Sequence, residues 1–131
     1  MRELPLLAEW QRVTHRILAA LDDALAGLAL SPAEVNALAC FAGREAVALR
    51  ELVEATGQRP STLTGVLDRL ERGGLVRRIP NPEDRRSLQI VLTHSGRQTR
   101  EAVDAAFAHV ERRLPSSRRI RELLRNLDAI L

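Results

Sequence analysis

Arginine is the residue type whose chemistry and position stand out in this sequence. All 20 basic residues are arginine, a bias that a GC-rich coding sequence also produces. Seven arginines and four acidic residues lie between Arg59 and Arg86, a net charge of +3, whereas the rest of the chain holds 13 basic and 13 acidic residues. A guanidinium offers a planar set of donors to phosphate oxygens and guanine edges. The position of the excess charge therefore predicts a nucleic-acid partner for this stretch.

Two consecutive arginines mark one end of that stretch. Arg85 and Arg86 follow Asp84 in a segment whose preceding residues, Asn81–Glu83, are typical of a tight turn. A hairpin tip with these side chains can enter the DNA minor groove, where narrow A·T-rich stretches concentrate negative potential. We expect the Asp84 carboxylate to hold one guanidinium in a fixed direction. The alternative is a solvated charged turn; a position directly after a candidate reading helix favours DNA contact.

Residues 60–72 predict that reading helix. At roughly 100° per residue its apolar side chains share one face, which must point to the core. These apolar residues are Leu63, Val66, Leu67 and Leu70. The opposite face and its flanks carry Ser61, Thr62, Thr64, Gly65, Asp68, Arg69 and Arg72, and Arg59 precedes the helix. Small polar side chains near the first turn suit insertion into the major groove, where free amides also meet phosphates.

Gly65 costs this helix about 1 kcal/mol relative to alanine. We expect a glycine at this position because the helix backbone approaches DNA closely there. The alternative for the whole segment is an ordinary amphipathic surface helix in which Asp68 and Arg72 pair at i,i+4.

The elements that position these residues can be placed from periodicity and capping signals. We predict helices over 4–28, from Ser31 to near Gly43, over 50–56 and 60–72, from Thr93 to about Leu114, and over 118–131, with strands over 46–48, 75–79 and 88–92. Ser31-Pro32-Ala33-Glu34 is a capping-box start. This order predicts a mainly α fold with a small β-wing, which is a winged helix-turn-helix flanked by terminal helices.

From Ser31 to Gly96 the sequence resembles the MarR family of multiple-antibiotic-resistance-type regulators. The matching stretches are 30–34, 50–57, 60–64, 67–71, 74–78, 82–86 and the run from Val91 to Gly96. The resemblance implies one domain over 1–131, with dimerisation helices at 1–29 and 97–131 and a DNA-binding module at 30–96. It also implies an obligate homodimer with a recognition helix and a wing on each arm. Many relatives are repressors released by small, often aromatic, acidic ligands.

Three residues depart from the family pattern. Arg59 stands where relatives often have a capping serine, so the recognition helix loses a cap or gains a phosphate contact. Gly65 stands where many carry an arginine aimed at bases, which weakens direct readout there. Ala48 replaces a common threonine cap ahead of the third helix, at a cost of roughly 1 kcal/mol.

The first helix supplies candidates for a ligand site. The resemblance implies a pocket between the dimerisation helices and the reading module. Trp10, His15 and Arg16 could hold an aromatic carboxylate there, although Trp10 is also a candidate for a core or interface residue. Peroxide-sensing relatives carry a reactive cysteine in the first helix, which has none here. Cys40 lies in the predicted second helix among apolar residues, which indicates a buried structural thiol.

Other function classes find no support in the residues. One cysteine allows no intramolecular disulfide, and no stretch reads as a signal peptide or membrane span, so we expect a cytoplasmic protein. The three histidines, His15, His94 and His109, lack metal-ligand spacing, and no glycine-rich phosphate loop occurs. We predict no enzyme activity, no cofactor and no metal. The expected function is sequence-specific binding of double-stranded DNA at a pseudo-palindromic operator; the alternative is a winged helix that binds an acidic protein, without the steep salt dependence of duplex binding.

Overall fold

A computed structural model, which describes residues 2–115 and 117–131, confirms the mainly helical fold with a small β-wing. The elements are α1 (Leu6–Ala24), α2 (Pro32–Ala39), β1 (Ala46–Ala48), α3 (Leu49–Thr56), α4 (Pro60–Arg72), β2 (Val76–Pro80), β3 (Leu88–Leu92), α5 (His94–Glu111) and α6 (Ser117–Asp128). Their order is the predicted one. None of the helices that the structure describes has the length and apolar character needed to cross a membrane.

Local capping signals set the starts of two helices as predicted. The Ser31 hydroxyl accepts the amide of Glu34 (3.2 Å), and Pro32 occupies the first turn of α2. The Thr93 hydroxyl accepts the amide of Gly96 (3.0 Å) at the start of α5. A Cβ on Gly96 would collide with the carbonyl oxygen of Leu75, so glycine is required where α5 passes the end of α4 and the start of β2.

Several helices end earlier than the sequence suggested. α1 stops at Ala24 rather than Leu28, because the following turn contains Gly27 in a left-handed conformation (φ +97°). α2 stops at Ala39, since the chain tightens into i→i+3 bonds and then turns through Ala42 and Gly43, both at positive φ. The last two helices also end three residues before their predicted ends, at Glu111 and Asp128.

The sheet has the strand order β1-β3-β2, with both neighbouring pairs antiparallel. β2 and β3 form the predicted hairpin, closed at the Pro80–Leu88 pair, and residues 81–87 form its loop. No partner for β1 could be predicted from the sequence; in the structure β1 pairs with β3, with Val47 opposite Ile90. Both of these side chains are buried, which ties the sheet to the core.

The chain divides into two compact units. The winged-helix unit, Leu25–Asp104, contains α2–α4, the sheet and most of α5, and its core includes Leu38, Phe41, Leu52 and Ile90. Arg100 fixes α5 within it by donating from Nη1 to the carbonyl oxygen of Arg44 (2.8 Å). The terminal-helix unit, Met1–Ala24 and Ala105–Leu131, contains α1, the end of α5 and α6. Among its described residues only Leu21, Ala106 and Val110 are buried apolar side chains.

Candidate nucleic-acid interface

α4 buries one face and exposes the other, as its sequence predicted. Leu63, Val66, Leu67 and Leu70 are at most 1% exposed. Ser61, Thr62, Thr64, Arg69 and Arg72 are exposed, and Gly65 is half-buried. The apolar face holds the helix in the core, so the polar face is left for a partner. These positions make the residues accessible to DNA; their contacts with it remain predictions.

The start of α4 is open to an anion. Arg59 is the N-cap residue, its side chain makes no capping hydrogen bond, and Pro60 takes the first turn. The first intrahelical bond runs from the Leu63 amide to the Arg59 carbonyl, so the amides of Ser61 and Thr62 precede it. These free donors and the positive end of the helix dipole favour a phosphate at this end. The Thr64 hydroxyl, in contrast, donates to the Pro60 carbonyl (2.9 Å).

The wing loop is ordered by its own side chains. The Asn81 side chain accepts the Glu83 amide (3.0 Å), and the Asp84 carboxylate accepts the Arg86 amide (3.1 Å). The expected contact of Asp84 with a guanidinium is a loose ion pair, because Arg86 Nε lies 3.7 Å from Asp84 Oδ1, too far for the hydrogen bond that would fix its direction. The Arg86 side chain is 97% exposed. Asp84 thus shapes the backbone of the tip, and Arg86 extends into solvent, as does Arg85.

Arg78 on β2 joins the wing to the reading helix, a link that the sequence reasoning missed. Its Nε lies 2.6 Å from Glu71 Oε2, and its Nη2 lies 2.7 Å from Asp68 Oδ1. The hydrogen bond to Glu71, and to a smaller extent the one to Asp68, raises the pKa of the Arg78 guanidinium above its already high value. The Asp68–Arg72 pair of the alternative reading is not formed, and Arg72 has no ion pair among the described residues.

α3 is capped in a way that compensates partly for Ala48. Ala48 occupies the N-cap position without a side-chain bond, as expected. The Glu51 carboxylate accepts the Ala48 amide (3.2 Å) and lies 2.8 Å from Arg44 Nη2. The backbone bond, followed by the arginine, lowers the pKa of Glu51. Glu51 therefore makes one of the two hydrogen bonds of a capping box, and the other is absent because Ala48 has no side-chain hydroxyl.

The candidate ligand residues lie in the terminal-helix unit, and all three are exposed on α1. Arg16 lines a cleft of about 420 Å³ together with His109 and Arg113, the acidic Asp23 and three alanines of α1. Trp10 and His15 are not among the residues that line this cleft.

Cys40 occupies a different position from the one expected. It is the C-cap residue of α2 rather than a residue within the helix, and it is half-buried. Burial raises the pKa of its thiol, which keeps it protonated at neutral pH. In the part of the chain that the structure describes, no group of three His, Cys, Asp or Glu side chains could hold a metal ion.

The winged-helix unit is similar in sequence to known transcription regulators. The sequence model of the MarR family matches residues 30–88. The chain is 41% identical over 88 residues to the HTH-type transcriptional regulator PecS of Dickeya dadantii, an alignment that covers 65% of this chain and 53% of PecS. The chain spans about half the length of the curated relatives that it matches.

Two solved structures resemble the chain over nearly its whole length. BpsR of Bordetella bronchiseptica, whose DNA binding is regulated by 6-hydroxynicotinic acid, has a TM-score of 0.77 at 25% identity and covers 95% of this chain and 93% of its own. CouR of Rhodococcus jostii RHA1, solved with p-coumaroyl-CoA, has a TM-score of 0.76 at 28% identity and covers 92% and 87%.

Proposed function

Because residues 30–88 match the sequence model of the MarR family, we propose that the chain is a regulator of this family, a cytoplasmic repressor that binds a pseudo-palindromic DNA operator as a homodimer. Proteins of this family are transcription regulators rather than enzymes, and the proposal assigns the chain no chemical step. The proposed major-groove contacts are Arg59, Ser61, Thr62, Thr64, Gly65, Arg69 and Arg72. The proposed wing contacts are Arg85 and Arg86, with Asp84 shaping the tip.

The two exposed faces of the winged-helix unit carry this proposal. α4 presents a polar face with an open helix start, and the wing presents Arg86, which is 97% exposed although Asp84 Oδ1 lies 3.7 Å from its Nε. Arg78 ties the two together through Asp68 and Glu71, so the helix and the wing are held as one surface. Such a link suits two elements that would contact neighbouring grooves at the same time.

Dimerisation is proposed for the terminal-helix unit because its apolar side chains lack a cover. Large apolar residues that remain exposed in it include Leu6, Leu7, Trp10, Val13, Leu123 and Leu124. α6 has no buried residue among those described, although Ile120, Leu123 and Leu127 repeat at helical spacing. A short helix of this kind is marginal unless it packs on something. A second copy of the chain, related by a two-fold axis, would bury both sets of side chains.

We also propose that a small-molecule effector releases the protein from DNA. The named ligands of BpsR and CouR both combine an aromatic ring with acidic groups. Arg16 is the proposed anion-binding residue, with Trp10 and His15 as the other candidates. Calorimetric titration with 6-hydroxynicotinic acid should show binding that Arg16→Gln weakens and Arg12→Gln, on the same helix, does not. Equal binding by all three proteins would contradict the assignment of Arg16.

Duplex binding itself can be tested without knowledge of the operator. The protein is incubated with a pool of duplexes that carry a randomised centre, and the enriched sequences are read over successive rounds. We expect a two-fold symmetric site, and an affinity that falls steeply with salt at a slope of about −0.9 per phosphate contact. Enrichment of no sequence, together with saturable binding to an acidic protein, would favour the interaction-module alternative.

A further inference from the structure

Glu34 on α2 is a nearly buried carboxylate that faces the reading helix. Its side chain is 10% exposed. Its Oε1 accepts the Ser31 hydroxyl (2.9 Å) and the Nε of Arg69 on α4 (3.2 Å). A carboxylate is retained at such a depth only when donors compensate for its lost hydration. The Glu34–Arg69 pair therefore fixes both side chains, across 35 residues of sequence.

Arg69 keeps its outer donors free while Glu34 holds its inner one. Only Nε is engaged, the side chain is 47% exposed, and neither terminal amino group makes a hydrogen bond within the described part of the chain. Side chains on a helix lean toward its N-terminus, which directs this guanidinium over the turn that contains Gly65. A Cβ built on Gly65 would lie 3.8 Å from Arg69 Nη1. The arginine thus covers the place where a longer side chain at position 65 would extend.

The surface around Arg69 belongs to the exposed face of α4. Thr62, Gly65 and Arg69 follow one strip of the helix at spacings of three and four residues. Arg59 and Arg72, which have no ion pair among the described residues, flank this strip near the two ends of the helix. Unrestrained arginines at the ends suit phosphates, whereas a guanidinium with a fixed plane suits the directional acceptors of a base edge.

We propose that Arg69 reads a guanine in the major groove, that Glu34 is the residue that positions it, and that Gly65 leaves the space through which it reaches the base. This inference rests on the proposed binding of duplex DNA. With Nε on the carboxylate, Nη1 and Nη2 remain as the paired donors that match guanine O6 and N7. Arg69, one turn further along α4, would thus take the role of the arginine that many relatives carry at the position of Gly65.

The test compares base preferences, because a purely structural role would not change them at a single base pair. The wild-type protein selects duplexes from the randomised pool, and each variant is then titrated against the selected duplex and against duplexes with every single base-pair change. We expect one G·C pair in each half-site to be preferred by about 5- to 160-fold, the range of a good bidentate contact. Arg69→Lys and Glu34→Gln should both reduce that preference, while preferences at the other positions persist.

Gly65 supplies variants that leave the ion pair's own residues unchanged. Gly65→Ala adds only an ordinary contact and should retain the preference, whereas Gly65→Leu should displace the guanidinium and abolish it. Both substitutions favour the helical state, so the fold should persist, which thermal melting checks. Arg97→Lys, on α5 and outside the proposed interface, is the matched control and should leave the preference at that base pair intact.

Each outcome is decisive. If the wild-type protein enriches no sequence, the proposed function fails before the variants are compared. If Arg69→Lys abolishes the preference but Glu34→Gln and Gly65→Leu do not, the positioning role is overturned. A uniform loss over all sequences, with a salt slope smaller by about one, would show a phosphate contact instead and overturn the base reading.

Discussion

The winged-helix unit and the terminal-helix unit use apolar residues in opposite ways. In the winged-helix unit the leucines of α4 and the central residue of β3, Ile90, are almost completely inaccessible. In the terminal-helix unit, Leu6, Leu7 and Leu123 expose half or more of their surface. Apolar atoms contribute to stability roughly in proportion to the area removed from water. We therefore expect the first unit to be stabilised by its own core, and the second to be stabilised by the proposed contact with another copy of the chain.

The charges of the two units differ in a parallel way. In the winged-helix unit, Arg69 and Arg78 are paired with carboxylates, whereas Arg59, Arg72 and Arg85 have no ion pair among the described residues. On α6 the arginines lie beside the apolar residues of an exposed helix, so the proposed dimer contact is restricted to its apolar stripe. Variants in each unit should thus affect different measurable properties.

The largest expected effect is on the stability of the winged-helix unit. Leu67→Ala, at a side chain that is 1% exposed, should lower the free energy of unfolding by about 2–5 kcal/mol at every protein concentration. Leu88→Ala, on the same unit but 39% exposed, is the control and should cost far less. Chemical denaturation measures both. Equal losses for the two variants would break the distinction between core and surface in this unit.

The second effect is on association. Leu123→Glu combined with Leu124→Glu should dissociate the dimer, because it places two charges within the apolar stripe of α6. Operator affinity should then fall by well over tenfold, since each arm alone contacts only one half-site. Light scattering and a binding titration measure the two quantities.

Arg121→Glu provides a control with the same change of two charge units on the same helix. This variant should remain dimeric, because Arg121 lies outside the stripe. If both proteins dissociate to the same extent, charge rather than apolar contact holds the chains together, and the comparison of the two units fails.

The third effect concerns the wing. Arg86→Ala should weaken operator binding by about tenfold and reduce the salt slope by about 0.9, as expected for one lost phosphate or groove contact. Stability and dimer mass should not change, because the side chain is 97% exposed. Arg97→Ala, on α5 outside the proposed interface, removes the same charge and should leave binding nearly unchanged. Unaltered affinity of Arg86→Ala at matched salt would remove this residue from the interface.

The smallest expected effect is at Cys40. Burial raises the pKa of its thiol, so little thiolate is present at neutral pH to react with peroxide. Peroxide should leave the operator affinity of the wild-type protein unchanged, and Cys40→Ser should behave in the same way. Release of the wild-type protein but not of the serine variant would show that the thiol is a redox switch.

Elements with strong local signals could be predicted from the sequence to the residue. α4 runs from Pro60 to Arg72 as predicted, because proline starts the helix and the pair Gly73-Gly74 follows its end. α1 was predicted too long, because its apolar period continues to Leu28 while Gly27 turns the chain. The apolar period of a helix predicts which of its faces is buried, whereas a residue that turns the chain predicts where the helix ends.

The ion pairs of the candidate site could not be predicted in the same way. The local i,i+4 rule offered Arg72 as a partner for Asp68, whereas in the structure Asp68 pairs with Arg78 of β2 at 2.7 Å. The bond between Glu34 and Arg69 depends on how α2 packs against α4, which sequence spacing does not describe. The exposed residues of α4 followed from its period alone, whereas the groups that orient them required the tertiary structure.

The stoichiometry of the complex with DNA tests most directly whether the winged-helix unit contacts the operator while the terminal-helix unit holds two chains together. Light scattering should be measured on complexes with the selected palindromic duplex and with a duplex in which one half-site is scrambled. We expect two chains on the palindrome, with half-site centres about one helical turn, roughly 34 Å, apart, and an affinity that falls by more than tenfold on the scrambled duplex. A single chain that binds both duplexes with equal affinity would contradict this expectation.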